Sequence, residues 1–324
     1  IEEAIPYLKH IENTSCYWMM RGILKHLYDW NDSITLGNWR EIDARIRRKS
    51  SSAEWAREIL QKAHVVKAST EYALRGDGGN DDILSYSLEW AFFMRNQWKY
   101  ADAPLYELEY AWQFDGPVRP LPLLWDGPPP TKRCIKTVED ANEAMADYCR
   151  KIPFKQVSSV ANYLSTGINY MKVNDAQMQD ALDNRSKAGP AERDIYASYL
   201  FAKNLEALEN ADKKLVFQFS TAAEPMPHET YSGLRQETIA QLGELIARHP
   251  KLQFQAFIAS RHANQSFCTL CRELPNLSLV GYWWHNFFPG IISQVIDERL
   301  DMLPANKQIG FFSDAYCVDW LYAK

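Results

Sequence analysis

The apolar positions of the first 60 residues recur at intervals of three and four, the period of helices that each bury one face. Tyr17, Trp18, Met20, Ile23, Leu24 and Leu27 form one stripe, and Trp39, Ile42, Ile46 and Trp55 carry a second. Arg47, Arg48 and Lys49 lie among acidic neighbours and read as a solvated helix face. From about residue 61 the pattern changes to short apolar runs separated by longer amphipathic stretches. Runs at 65–69, 112–118, 168–173, 215–219, 252–258, 277–283 and 308–312 predict strands. The last four begin 37, 25 and 31 residues apart, the length of a strand–helix–strand repeat. Thr137 and Asp140 have the spacing of a capping box ahead of Ala141, Met145 and Tyr148, and Pro153 stops that helix. Ile239, Leu242, Leu245 and Ile246 form another stripe, ended by Pro250, and 174–211 reads as a long helical excursion.

Seven strands, each but the last followed by a helix, predict an α/β chain built as a TIM-type (β/α)8 barrel. The chain then divides into a helical subdomain, 1–60, and a barrel, 61–324. A doubly wound open sheet is the alternative, but no G-x-G-x-x-G turn supports it. The proline-rich WDGPPP at 125–130 follows a strand end, where barrel enzymes place functional loops.

Composition narrows the function classes. With 46% hydrophobic and 24% charged residues, the chain can bury a sizeable core. A net charge of −5 disfavours nucleic acid as a partner. No apolar run approaches the roughly 18–20 residues needed to span a bilayer, and no secretory leader pattern opens the chain. The six cysteines are dispersed through a core-forming sequence, which predicts a reduced, cytoplasmic protein. Cys268 and Cys271 have C-x-x-C spacing but no matching second pair, and read as ordinary helix thiols.

In a barrel the chemistry projects from the C-terminal strand ends. That rule selects Asp314 after 308–312, Arg261 with Ser260 and His262 after 252–258, Trp284, His285 and Asn286 after 277–283, Arg119 after 112–118, and Ser220, Thr221 and Glu224 after 215–219. Two arginines and a carboxylate around one mouth suit a metal with an anionic substrate, because arginine grips carboxylates in a bidentate fork. Each residue also has a plainer reading. Asp314 would serve as a helix N-cap, Arg261 as a surface ion-pair partner, Arg119 as a loop charge, Trp283 and Trp284 as packing, and His285 as a hydrogen-bonded rim residue. His228, in a loop, reads as non-catalytic.

The run LSLVGYWWHNFFPG followed by IGFFSDAYCVDW resembles the uronate (glucuronate) isomerase family of the amidohydrolase superfamily. FIASRHAN is similar to that family's strand-six segment and DGPVRPLPLL to its strand-three segment. MRGILKHLYDW, NWREIDARI and AREILQKAHVVKAST resemble its helical insertion leading into strand two. The resemblance implies a zinc-dependent enzyme that interconverts D-glucuronate and D-fructuronate by proton transfer between C1 and C2 through an enediol. Asp314 would be the strand-eight metal ligand and proton shuttle. Arg119 and Arg261 would hold the carboxylate and hydroxyls of a small acidic sugar, Trp283 would shape the pocket wall, and His285 would border it. The barrel at 61–324 would hold strands two to eight, with strand one and its H-x-H pair upstream of Ile1. None of the seven histidines forms such a pair. Ser220 stands where the family has a strand-five histidine, Tyr316 where it has an arginine, and Asp175 lies near the place of a strand-four aspartate. The helix covering strand eight is expected beyond Lys324. An unpaired first-strand position also favours self-association into a homo-oligomer. The departures keep two alternatives open: a divergent amidohydrolase-type enzyme acting on another acidic substrate, and a barrel inactive as it stands.

Overall fold

The computed structural model describes residues 2–71, 84–87, 101–116, 132–152, 158–161, 171–211, 216–221, 236–258, 261–281, 288–310, 313, 315 and 317–324. The chain opens with a 3-10 turn, Ile5–His10, and three helices: α1 (Ser15–Tyr28), α2 (Trp39–Ser50) and α3 (Ala53–Lys62). Thr14 caps α1 by accepting the Tyr17 N–H at 3.3 Å, and Ser52 caps α3 by accepting that of Trp55 at 3.1 Å. Their apolar faces meet in a small core of Leu24, Leu27, Tyr28, Trp30, Ile42, Trp55 and Ile59. Two positions differ from the expected stripes. Trp18 is 66% exposed, and Lys49 is not simply solvated, because it donates to the Leu27 carbonyl at 2.8 Å and lies over the Trp55 ring. Arg47 does face solvent, paired with Asp43 one turn away.

Seven strands follow among the described residues: β1 (Ala68–Glu71), β2 (Leu84–Ser87), β3 (Ser158–Ala161), β4 (Val216–Thr221), β5 (Gln253–Ile258), β6 (Leu277–Val280) and β7 (Gln308–Ile309). β1 pairs with β2, and β3 to β7 form a sheet in chain order, every pair parallel. A doubly wound sheet would reverse its order at a switch point, and these strands do not. Helices alternate with them: α4 (Ala103–Trp112), α5 (Val138–Lys151), α6 (Asp175–Asp183), α7 (Pro190–Asn210), α8 (Gln236–Ala247), α9 (Asn264–Glu273), α10 (Pro289–Met302) and α11 (Val318–Ala323). None among the described residues is long and apolar enough to cross a membrane. Nor is β7 paired with β1 among them, so they show two parallel sheets, each in chain order, and no closed barrel.

Three strand predictions are corrected. The run at 112–118 is the end of α4 and a turn through Gly116 as far as it is described; Leu105 and Leu108 are fully buried at helical spacing. The run at 168–173 is not a strand over its described part, 171–173, because Asn174 accepts the Gln177 N–H at 2.9 Å and starts α6. The run at 65–69 enters the sheet only at Ala68, since the Val65 N–H still bonds to Leu60 in the α3 cap and Val66 is 86% exposed. β2 and β3, read as LSYS and SSVA, offered no continuous apolar run to detect. A helix does follow β7 before Lys324. This is α11, which packs on α1 and α3, with Val318 and Tyr322 against the N-terminal core.

One face of the β3–β7 sheet packs on the helices. Phe217 lies between Phe201 of α7 and Phe254 of β5, ring centroids 5.5 and 6.0 Å away. Leu277 and Leu279 join the same core with Leu242, Ile246, Phe267, Cys268 and Cys271. Enclosing each large apolar side chain there contributes roughly 1.5–3 kcal/mol. The amino-terminal strand ends are stitched by polar side chains. Asn276 donates to the carbonyls of His249 and Leu252 at 2.9 and 3.1 Å. The Lys307 ammonium donates to the carbonyls of Leu274, Pro275 and Leu277 at 2.8–3.0 Å. That end therefore serves stability, leaving the carboxyl ends for chemistry.

Candidate functional site

At the carboxyl ends β5 runs on to a 3-10 turn, Arg261–Ala263, and then to α9. β6 runs into Gly281, whose φ of +54° lies in the left-handed region that glycine tolerates best. The Gly281 N–H bonds to the Ile309 carbonyl at 2.6 Å, carrying the β6–β7 connection one residue past the β6 strand. Arg261 is exposed, and its guanidinium donates to the Gln294 side-chain oxygen on α10 at 3.1 Å. His262 beside it is also exposed.

Beneath this rim sits a charged residue that the sequence reading missed. Arg299 of α10 is 0% exposed. Its Nε donates to the Asn264 side-chain oxygen at 2.8 Å, and another guanidinium N–H donates to the Gly281 carbonyl at 2.9 Å. Asn264 in turn donates to the Glu298 carboxylate at 2.6 Å. A buried cation is tolerated only where acceptors replace its water, and here they come from the ends of both β5 and β6. Arg299 thereby ties the start of α9, just after the turn that carries Arg261, to the residue following β6. The signal for it was present: Ile292, Val295, Arg299 and Met302 share one helical stripe, with a charge inside it.

The other face of the sheet is polar at mid-height. Gln218 of β4 pairs with Gln255 of β5, and Gln255 pairs with Ser278 of β6. The Gln218 amide donates to the Gln255 side-chain oxygen at 2.6 Å. Two residues further along, Ser220 stands opposite Phe257.

Asp314, Arg119, Trp283, His285, Tyr316 and His228 lie outside the described residues. Asp175 opens α6 and accepts the Tyr199 hydroxyl at 3.0 Å, which ties α6 to α7. Among the described residues no three His, Cys, Asp or Glu side chains converge as a metal site would require. Cys268 and Cys271 lie on α9 inside the core, and burial pushes their thiols up to about 11 and about 12, so both are inert. A second buried ion network is also structural. Glu109, 1% exposed, accepts the Ile135 N–H at 2.7 Å and the Arg185 guanidinium at 2.5 Å, while Arg185 also reaches Asp102 at 2.8 Å. It pins α4 to the approach to α5. A groove of about 490 Å³ between α5 and α7, floored by Met145 and Cys149, lies in the helix layer.

No family model matches the chain, and no curated protein does. Solved structures do. A uronate isomerase from Thermotoga maritima is similar with a TM-score of 0.69, at 10% identity, over 98% of this chain and 71% of that one. The chain shares its fold with uronate isomerases. A uronate isomerase from Bacillus halodurans C-125 gives a TM-score of 0.60 at 13% identity, over 96% of this chain and 65% of that one. A candidate metal-dependent hydrolase from Lactobacillus casei ATCC 334 gives 0.60 at 12% identity, over 96% and 74%. The chain thus spans about two thirds to three quarters of each of these proteins.

Proposed function

We propose that this chain is the greater part of a sugar-acid isomerase that moves a proton between C1 and C2 of an open-chain uronate through an enediol. The observation that supports it most is the parallel sheet wound in chain order, on a fold shared with uronate isomerases across nearly the whole chain. In this reading β1 to β7 are strands two to eight of a closed barrel. Arg261, exposed on the turn just before the α9 start that Arg299 ties down, holds the substrate carboxylate with Arg119. Trp283 and His285 border the pocket, and Asp314 moves the proton.

The described residues do not fit a zinc ion. No three ligands converge among them, and Ser220, where the resemblance expects an imidazole, offers only a weakly coordinating hydroxyl. The metal assignment therefore rests on residues outside the described ones, Asp314 among them. The neighbour from Lactobacillus casei, named as a metal-dependent hydrolase, supports a second reading, in which the same mouth opens an acidic ester or lactone.

One experiment separates the two. The protein, supplied with Zn²⁺ or Mn²⁺, is incubated with D-glucuronate, D-galacturonate and a panel of sugar-acid lactones. Ketose formation that Asp314→Asn abolishes supports the isomerase. Lactone opening without ketose supports the hydrolase, and no turnover of either class removes both.

A further inference from the structure

Barrel interiors are normally filled by Val, Ile and Leu. Here the face turned away from the helices carries amides. Phe217, Phe254, Ala256, Leu277 and Leu279 belong to the helix-packed core, so by alternation Gln218, Gln255 and Ser278 occupy the opposite face. They stand side by side in register across three adjacent strands, and all three are only half-buried. The Gln218–Gln255 bond at 2.6 Å uses one N–H and one oxygen. The Gln218 oxygen and the Gln255 amide nitrogen each keep capacity for a third group. On the same face, two residues on, Phe257 is 1% exposed and Ile309 is 40% exposed. A neutral amide floor with apolar neighbours suits a molecule that alternates hydroxyls with C–H groups. It carries no charge with which to read a carboxylate.

We propose that Gln218 and Gln255 are specificity-determining residues that hydrogen-bond the hydroxyls of a polyhydroxylated acid. This rests on reading the strand ends above them as a sugar-acid site, where Arg261 takes the carboxylate. A hydroxyl both donates and accepts, which matches the donors and acceptors that the amide pair leaves over. An apolar chain of the same length would leave those groups unsatisfied.

Calorimetry with D-gluconate and with hexanoate tests this directly, since both present a carboxylate on a six-carbon chain and only gluconate bears hydroxyls. Wild type is expected to bind gluconate at least about tenfold more tightly than hexanoate. The double variant Gln218→Leu/Gln255→Leu is expected to lose that preference while melting at or above the wild-type temperature, since both partners become apolar together. Should the double variant fail to fold, Gln255→Asn, which keeps the amide but shortens its reach, is expected to lower the preference severalfold. Equal binding of the two acids by wild type, binding of neither, or a preference that survives in the folded variants would overturn the assignment. The uronate assay is read separately. Gluconate preference without isomerisation would sink the isomerase and leave the amide floor standing. Isomerisation with unaltered KM in the folded variants would do the reverse.

Discussion

The Arg299 guanidinium donates to the Asn264 side-chain oxygen at 2.8 Å and to the Gly281 carbonyl at 2.9 Å in a site without solvent exposure. Arg299→Ala leaves the Asn264 oxygen and the Gly281 carbonyl without this donor and opens a cavity. It is expected to cost about 3–5 kcal/mol in urea unfolding, with Arg299→Lys recovering only part because one ammonium cannot reproduce the fork. Tyr28 presents a different case. Burial, and then its bond to Asp319 at 2.9 Å, push its hydroxyl from 10.0 up to about 12. The folded value lies above the unfolded one, so the contribution is complete below pH 10 and is lost as pH rises from 10 to 12. Tyr28→Phe is therefore expected to be less stable than wild type by about 1 kcal/mol at pH 8, with the gap closing across that alkaline window when unfolding is repeated at each pH. Thiol labelling gives a third expectation. Cys16, Cys134 and Cys317 are exposed and the other three cysteines are buried, so Ellman's reagent should titrate three thiols in the native protein and six after denaturation.

Among the elements, α8 and α9 approach each other closely at Gly243. A Cβ built there would come within 2.8 Å of a Leu270 methyl. Alanine is preferred over glycine in a helix by about 1 kcal/mol, and the obstructing atom is the tip of a movable side chain. Gly243→Ala is expected to be close to neutral alone and stabilising by about 1 kcal/mol in a Leu270→Ala background, a coupling that a double-mutant cycle measures. Helices were the legible part of this sequence because their signals are local. The Thr137/Asp140 capping box forms with both bonds present, and Ile239, Leu242, Leu245 and Ile246 are all buried as their spacing implies. β4, β5 and β6 were legible as apolar runs. β2 and β3 were not, since four-residue strands rich in serine acquire strand character only from their neighbours. The runs at 112–118 and 168–173 misled for the converse reason, their aromatic and branched residues serving a helix end and the approach to a cap.

For the molecule as a whole, the parallel α/β architecture followed from repeat spacing alone, and the fold likeness agrees with the family the C-terminal motifs resemble. The candidate site was legible only as positions after strand ends. Of the predicted binding residues the described structure places Arg261, on the turn between β5 and α9, and its binding role stands as a proposal. What fastens the residue after that turn was legible only as a charge inside an apolar helical stripe; its partners were not, because Arg299 acts from a helix 38 residues downstream of Arg261 through contacts that only the folded chain creates.

The winding order also bears on how the protein is made. A ribosome would release β3 to β7 in the order in which they pair, so each strand meets an edge already in place. The opening helices have no such advantage. Their core is completed by Val318 and Tyr322, and the Tyr28 hydroxyl waits for a partner 291 positions further on. Throughout synthesis of the sheet, the first helices emerge with an uncovered apolar face, which is what a holding chaperone recognises. Stalled nascent chains ending before Val318 should be cleaved by protease within α1–α3, and chains extended past Lys324 should resist.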